Sequence, residues 1–174
     1  MQPPEANRYR DTWAGVPRAA DAGQTRRVSG GVHRRRDHGG LIFIDLRDRT
    51  GRLQLVFHPG EGGAISEAFA AAERLRSEHV ISVAGEIVLR DEVNRNPNLP
   101  TGDVELSVVS MEVLAESHTP PFPVDEDTPV DEMLRLRHRV IDLRREGMRD
   151  KMLLRHEEGG LSIITISCGR LPHS

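Results

Sequence analysis

Alternation of apolar and polar positions is clearest in LIFIDLRD (41–48). Leu41, Phe43, Asp45 and Arg47 point one way, and Ile42, Ile44, Leu46 and Asp48 the other. The second set is apolar through Leu46, which is the mark of a half-buried strand. RLQLVFHP (52–59) answers it with Leu53, Leu55 and Phe57 on one face and Gln54 and Val56 on the other. Arg49-Thr50-Gly51 between them supplies a hairpin turn with glycine where positive φ is needed. Upstream, RRVSGGVHRRRD reads as a strand bent at Gly30-Gly31. Residues 64–77 then change period: Ile65, Phe69, Ala72 and Leu75 recur at helical spacing. Two more strands follow, at 79–91 through Gly85 and at 103–116. The segment between them, 92–102, is a loop by its Asn, Pro and Gly content.

Three strands, one helix and two strands match a mainly β fold, a five-stranded OB barrel with its helix between strands 3 and 4. Gly30, Gly31 and Gly85 would let long strands bend and serve both halves of the barrel. A small α+β sandwich is the alternative. Around this core, residues 1–25 read as a loose arm or short edge element and 26–116 as the barrel. Residues 117–130 are a Pro-rich acidic linker. Residues 131–156 form a helical segment whose middle is weakened by Gly147. Residues 157–174 are a tail in which a short apolar run sits between glycines.

Composition narrows the chemistry. The formal net charge of −3 hides asymmetry: residues 26–58 hold eight arginines against three acids, and 59–133 four arginines against sixteen acids. A uniformly basic coat is excluded, but a local basic surface on the first part is not. The single cysteine, Cys168, rules out an internal disulfide and any cysteine-built zinc cage. His33, His38 and His58 have no metal-ligand spacing. Asp45 and Asp48 read as partners of arginines or loops and not as a catalytic pair. Gly60, Gly62 and Gly63 lack the lysine of a phosphate-binding loop. No apolar run approaches the roughly 20 residues of a membrane helix, and MQPPEANRYRD has no signal-peptide core. A soluble, cytoplasmic protein is expected.

Four stretches carry a resemblance. VHRRRDHGGLIFIDLRDRTGRLQLVF (32–57), NPNLPTGDVEL (96–106), TPPFPVDEDTPVDE (119–132) and RLRHRVIDLRR (135–145) together resemble the bacterial-type aspartyl-tRNA synthetases across residues 26–156. In that family this region is the N-terminal anticodon-binding barrel, followed by a linker and a class II catalytic domain. The resemblance implies tRNA as partner (aspartate, with asparagine also open), and no membrane. In the full-length family ATP and magnesium serve aspartylation. None of the class II motifs that bind them has a counterpart here, so no cofactor, no metal and no catalytic residue is expected in this chain. A truncated or frame-shifted product is the simplest expectation, monomeric where the full-length family is homodimeric. A generic single-stranded nucleic-acid OB protein is the alternative function.

The resemblance also names residues. Specific RNA readers stack splayed bases on aromatic faces and hydrogen-bond their edges. Periodicity alone leaves Phe43 open between a stacking residue and a core phenylalanine. The resemblance makes it base-stacking, with Gln54 reading the central anticodon base and Glu105 the first, a G or its queuosine form. Arg36 is implied as a phosphate or base-edge contact, and Arg76, Asn94 and Asn96 as backbone or base contacts. Read by themselves, the two asparagines are turn formers. Two departures stand out. Gly31 occupies the place of the family's Trp, a loss of about 3–5 kcal/mol were that side chain buried. Trp13-Ala14-Gly15 replaces an early Cys-Gly, so that Trp13 is a candidate to fill the gap.

Overall fold

The computed structural model describes residues 6–60, 66–124 and 128–168. The chain divides into two compact units, residues 1–119 and 120–174.

The first unit is a closed five-stranded barrel. β1 (Thr25–His38), β2 (Leu41–Asp48) and β3 (Gly51–Phe57) form an antiparallel meander. A short helix, α1 (Glu67–Ala72), precedes β4 (Val80–Leu89) and β5 (Val104–Ala115). Around the barrel the order is β1-β2-β3-β5-β4, with β3 and β5 parallel and β4 returning to β1. This is the expected OB topology, and it excludes the α+β sandwich. The long β1 serves both halves: Thr25–Gly31 pairs with β4, and Gly31–His38 with β2. Two glycines make that closure sterically possible. A Cβ at Gly30 would run into the Arg47 carbonyl, and one at Gly85 into the backbone of Ser107.

The alternation seen in the sequence sets the core. Ile42, Ile44 and Leu46 of β2 and Leu53, Leu55 and Phe57 of β3 are buried, and they meet Val28, Val32, Ile81, Val83, Ile87, Val104 and Leu106. α1 plugs the barrel with Ala68 and Ala72 and is capped by Ser66, whose Oγ accepts from the Phe69 amide at 3.2 Å. It is shorter than the expected 64–77. Leu75 joins the core from the turn after it, and Ile65 lies outside the described residues.

The arm is a correction. Its described part is tied down and not loose. The Ala14 amide donates to an Asp48 oxygen at 2.7 Å, the Gly15 amide to Thr50 Oγ1 at 2.8 Å, and the Arg27 amide to Asp11 at 3.1 Å. Trp13 is held between the guanidiniums of Arg10 and Arg49, each 4.2 Å from its ring. Position 31 corrects a second expectation. Gly31 pairs with Arg47 and Val80 on the outer face, and a Cβ there would meet nothing closer than the Arg47 carbonyl at 4.0 Å. A side chain at position 31 would therefore start into open space on the outer face and not into the core.

In the second unit the single expected helical segment is three helices: α2 (Glu132–Arg137), α3 (Arg139–Asp142) and α4 (Glu146–Cys168). The break falls at His138 and at 143–145, before Gly147. Its cause is Asp142, fully buried, which accepts from Arg135 Nε at 2.7 Å and Arg139 Nη1 at 2.6 Å and so fixes the turn. The Arg135 hydrogen bond is the main reason the Asp142 carboxyl sits below its usual pKa. α4 continues past His156 to Cys168, where a change of character was expected. The linker is also less solvated than its composition implies, since Phe122 and Val124 are buried.

Candidate nucleic-acid interface

The outer face of β2 and β3 forms the floor of an open cleft of about 980 Å³. Phe43 and Asp45 project onto it from β2, and Gln54 and Val56 from β3. One wall is β1, with Arg34 and Arg36. The other is the β4–β5 loop with Arg90, Asn94 and Asn96, together with Glu105 at the start of β5. Phe43 is half-buried and outside the core cluster. The core reading left open by periodicity is thereby excluded.

Five of these polar side chains are linked in one run. Arg36 Nη2 donates to Asp45 Oδ1 at 2.8 Å and to Gln54 Oε1 at 3.2 Å. Gln54 Nε2 donates to Glu105 Oε2 at 2.9 Å. Arg90 Nε lies 3.7 Å from the same Glu105 oxygen and donates to the Val104 carbonyl at 3.0 Å. The arrangement fixes the Gln54 amide, oxygen toward Arg36 and nitrogen toward Glu105. One N–H and one oxygen lone pair remain for a ligand. That pair matches a base edge that presents one donor beside one acceptor, as uracil does.

Arg90 is buried, and burial pulls its guanidinium below the ordinary pKa. Glu105 is the first of the charges that pull it back. It remains a cation at neutral pH, so the cleft carries a fixed positive charge behind its carboxylate. Asn96 has two jobs. Its Oδ1 accepts from the Asn98 amide at 3.0 Å, which is turn chemistry, and its side chain also lines the cleft.

Six of the seven residues singled out from sequence therefore converge: Arg36, Phe43, Gln54, Asn94, Asn96 and Glu105. Arg76 is not brought in. It is exposed in the turn after α1 and is not among the residues that line the cleft. The arginine in the loop wall is Arg90, which sequence reasoning missed although it stands directly before the loop that carries the two asparagines. Arg34 was missed as well, although it lies two residues from Arg36 and hence on the same strand face. Asp45, expected to bond an arginine, does so with Arg36. Among the described residues no group of three or more His, Cys, Asp or Glu side chains could hold a metal, and no helix is long and apolar enough to cross a membrane.

Residues 27–114, half of the chain, match the family model of the OB-fold nucleic acid binding domain that bears the name tRNA anti-codon. The chain belongs to this family. The chain is 56% identical over 149 residues to an aspartate–tRNA(Asp/Asn) ligase of Rubrobacter xylanophilus, a match that covers 86% of this chain and 24% of the relative. An enzyme of the same name from Syntrophomonas wolfei is 56% identical over 129 residues, covering 74% of this chain and 22% of that one. The chain thus spans about a quarter of the length of these curated relatives. Among solved structures, an aspartyl tRNA synthetase of Entamoeba histolytica superposes with a TM-score of 0.74 over 90% of this chain and 37% of its own, at 18% identity. At that identity the likeness speaks to fold alone.

Proposed function

We propose that this chain recognises a tRNA anticodon on the outer face of β2 and β3, as the anticodon-binding part of an aspartate–tRNA ligase. The observation that carries the reading is the pairing of Phe43 with an oriented Gln54 amide on one cleft floor. An aromatic face holds any base, and a fixed donor–acceptor edge beside it selects one. Gln54 takes the central base, a uracil in the aspartate anticodon. Glu105 accepts from the first base, and Asn94 and Asn96 contact backbone or bases from the loop. The tRNA partner is that of aspartate, with asparagine also admitted by the relatives' printed names. In this reading the chain works in the cytoplasm. ATP- and magnesium-dependent aspartylation belongs to the longer relatives, and aspartate-dependent ATP–pyrophosphate exchange by this chain alone stays at background.

The test is titration of the full chain with an aspartate anticodon stem-loop, the same stem-loop with its central base replaced, and single-stranded DNA of equal length. Binding that weakens on the central-base change, and further on DNA, supports anticodon reading. Equal binding to all three supports a generic single-strand binder and overturns it.

A further inference from the structure

The binding face extends beyond the residues that meet bases. Strand pairing lays the outward side chains of β1, β2 and β3 in rows. Arg36, Phe43 and Val56 form the first row, and Arg34, Asp45 and Gln54 the second. In the third, Arg47 lies opposite Arg52, with Gly31 on the far side of Arg47. Successive rows are two strand residues, about 6.6 Å, apart. The first two rows offer an aromatic surface and an amide edge. The third offers cations.

A bulge in β1 between Val32 and Arg34 inserts His33 beside that third row. Its Nδ1 is 3.4 Å from Arg47 Nη1, and its Nε2 is 3.4 Å from Arg52 Nη1. A neutral imidazole has one acceptor nitrogen, so it cannot accept from both guanidiniums at once. Arg47 has a second anchor, because its Nη2 donates at 2.8 Å to Glu78, whose side chain is largely buried. Glu78 holds that position with a φ of 68°, a left-handed backbone disfavoured for a residue with a Cβ. Arg52 and Arg34 differ from Arg47. Both are exposed, both line the cleft, and neither has an acidic partner among the described residues. Gly31 places no side chain over the row.

We infer that a phosphodiester subsite spans the second and third rows: Arg34 from the one and Arg52 from the other take a backbone phosphate of the RNA strand whose bases lie on Phe43 and Gln54. The inference rests on the proposed anticodon reading and adds the group that lies next along the strand. A guanidinium presents a planar fork suited to two phosphate oxygens. His33 acts as a positioning residue, steering Arg52, while the Glu78–Arg47 pair steers His33. Arg47 is already neutralised by Glu78 and is not counted as a phosphate contact.

The experiment is salt-dependent titration of the full chain and of Arg34→Gln, Arg52→Gln and the double variant. Each is titrated with the aspartate stem-loop and with its central-base variant. Arg74→Gln, an exposed arginine outside the cleft, serves as the charge control. Each phosphate contact on a single strand contributes about 0.7 to the slope of log K against log salt. The double variant is expected to lower the slope by about that amount or more, equally for both RNAs, and Arg74→Gln to leave it unchanged. His33→Ala should lower the slope in part, and His33→Gln should restore it. An unchanged slope in the double variant, or a fall as large in Arg74→Gln, overturns the subsite. Loss confined to the cognate loop also overturns it, since that would be base readout. If the wild-type chain binds both RNAs equally while the double variant still lowers the slope, the anticodon reading fails and the phosphate subsite stands. If the wild-type chain binds neither RNA, both fail.

Discussion

Glu105 joins the two halves of the cleft network, and replacing it with glutamine isolates that role. The substitution keeps the size and one acceptor oxygen but removes the charge that faces Arg90. Arg90 is 6% exposed at its side chain, and Glu105 Oε2 is 3.7 Å from its Nε. Stranding a wholly buried cation costs about 3–5 kcal/mol. Two features reduce that here. Glu105 is 21% exposed, so water screens the pair, and Asp45 and Asp103 also act on Arg90. The Val104 carbonyl still accepts from Arg90 Nε after the change. We predict that Glu105→Gln destabilises the barrel by about 1–2 kcal/mol. With a urea m-value of about 2 kcal/mol/M, the midpoint then falls by roughly 0.5–1 M. The assay is urea unfolding followed by circular dichroism, run beside Arg90→Met and the double variant. The double variant should lie close to Arg90→Met, because once the cation is gone the carboxylate has little left to offset. A wild-type midpoint for Glu105→Gln, or strict additivity in the cycle, would refute the idea that Glu105 holds Arg90 in place.

Three further outcomes are expected. Phe43→Ala should weaken binding of the aspartate stem-loop by about 1–3 kcal/mol while leaving the circular dichroism spectrum intact, because Phe43 is outside the core; unfolding, or unchanged binding, would misplace the site. Gly85→Ala should cost about 1–3 kcal/mol or more in urea unfolding, since its Cβ meets the Ser107 backbone, whereas Gly31→Ala should stay within about 0.5 kcal/mol; similar costs at both positions would contradict the closure geometry. Asp142 has its pKa lowered by Arg135, so its contribution is complete above its unfolded value near 3.9 and is lost as pH falls through the lower folded value. Amide exchange at 139–143 should therefore be flat from about pH 5 to 8, after correction for intrinsic rates, and rise only below about pH 4, with Asp142→Asn abolishing the acid step.

The barrel was legible because burial on one face imposes a period of two. The apolar sets of β2 and β3 can face only one way, and a register slip would turn Ile44 and Leu55 out to water. Gln54 stood out for the same reason, as a polar residue flanked by buried leucines. What escaped depended on contacts distant in sequence. Arg76 and Arg90 both lie past the end of an element, and only the loop path shows which one enters the cleft. The break at His138 was hidden because helical spacing continues through it. The buried Asp142 makes it, by drawing Arg135 and Arg139 onto one carboxylate. The docking of the arm was hidden likewise, since its anchors, Asp48 and Thr50, lie more than thirty residues away.

Trp13 is the chain's one tryptophan, and it sits on that arm, clasped by two guanidiniums and not on the cleft floor. The aromatic on the cleft floor, Phe43, is a phenylalanine, which is silent when light is tuned to excite indole selectively. Intrinsic fluorescence of this chain is therefore a private optical channel for the arm. Its colour follows the wetting of the indole as the arm lifts from the β2–β3 turn. Base stacking on Phe43 would add no emission of its own, so a change in that emission reports the arm and not the occupation of the cleft, with no dye attached.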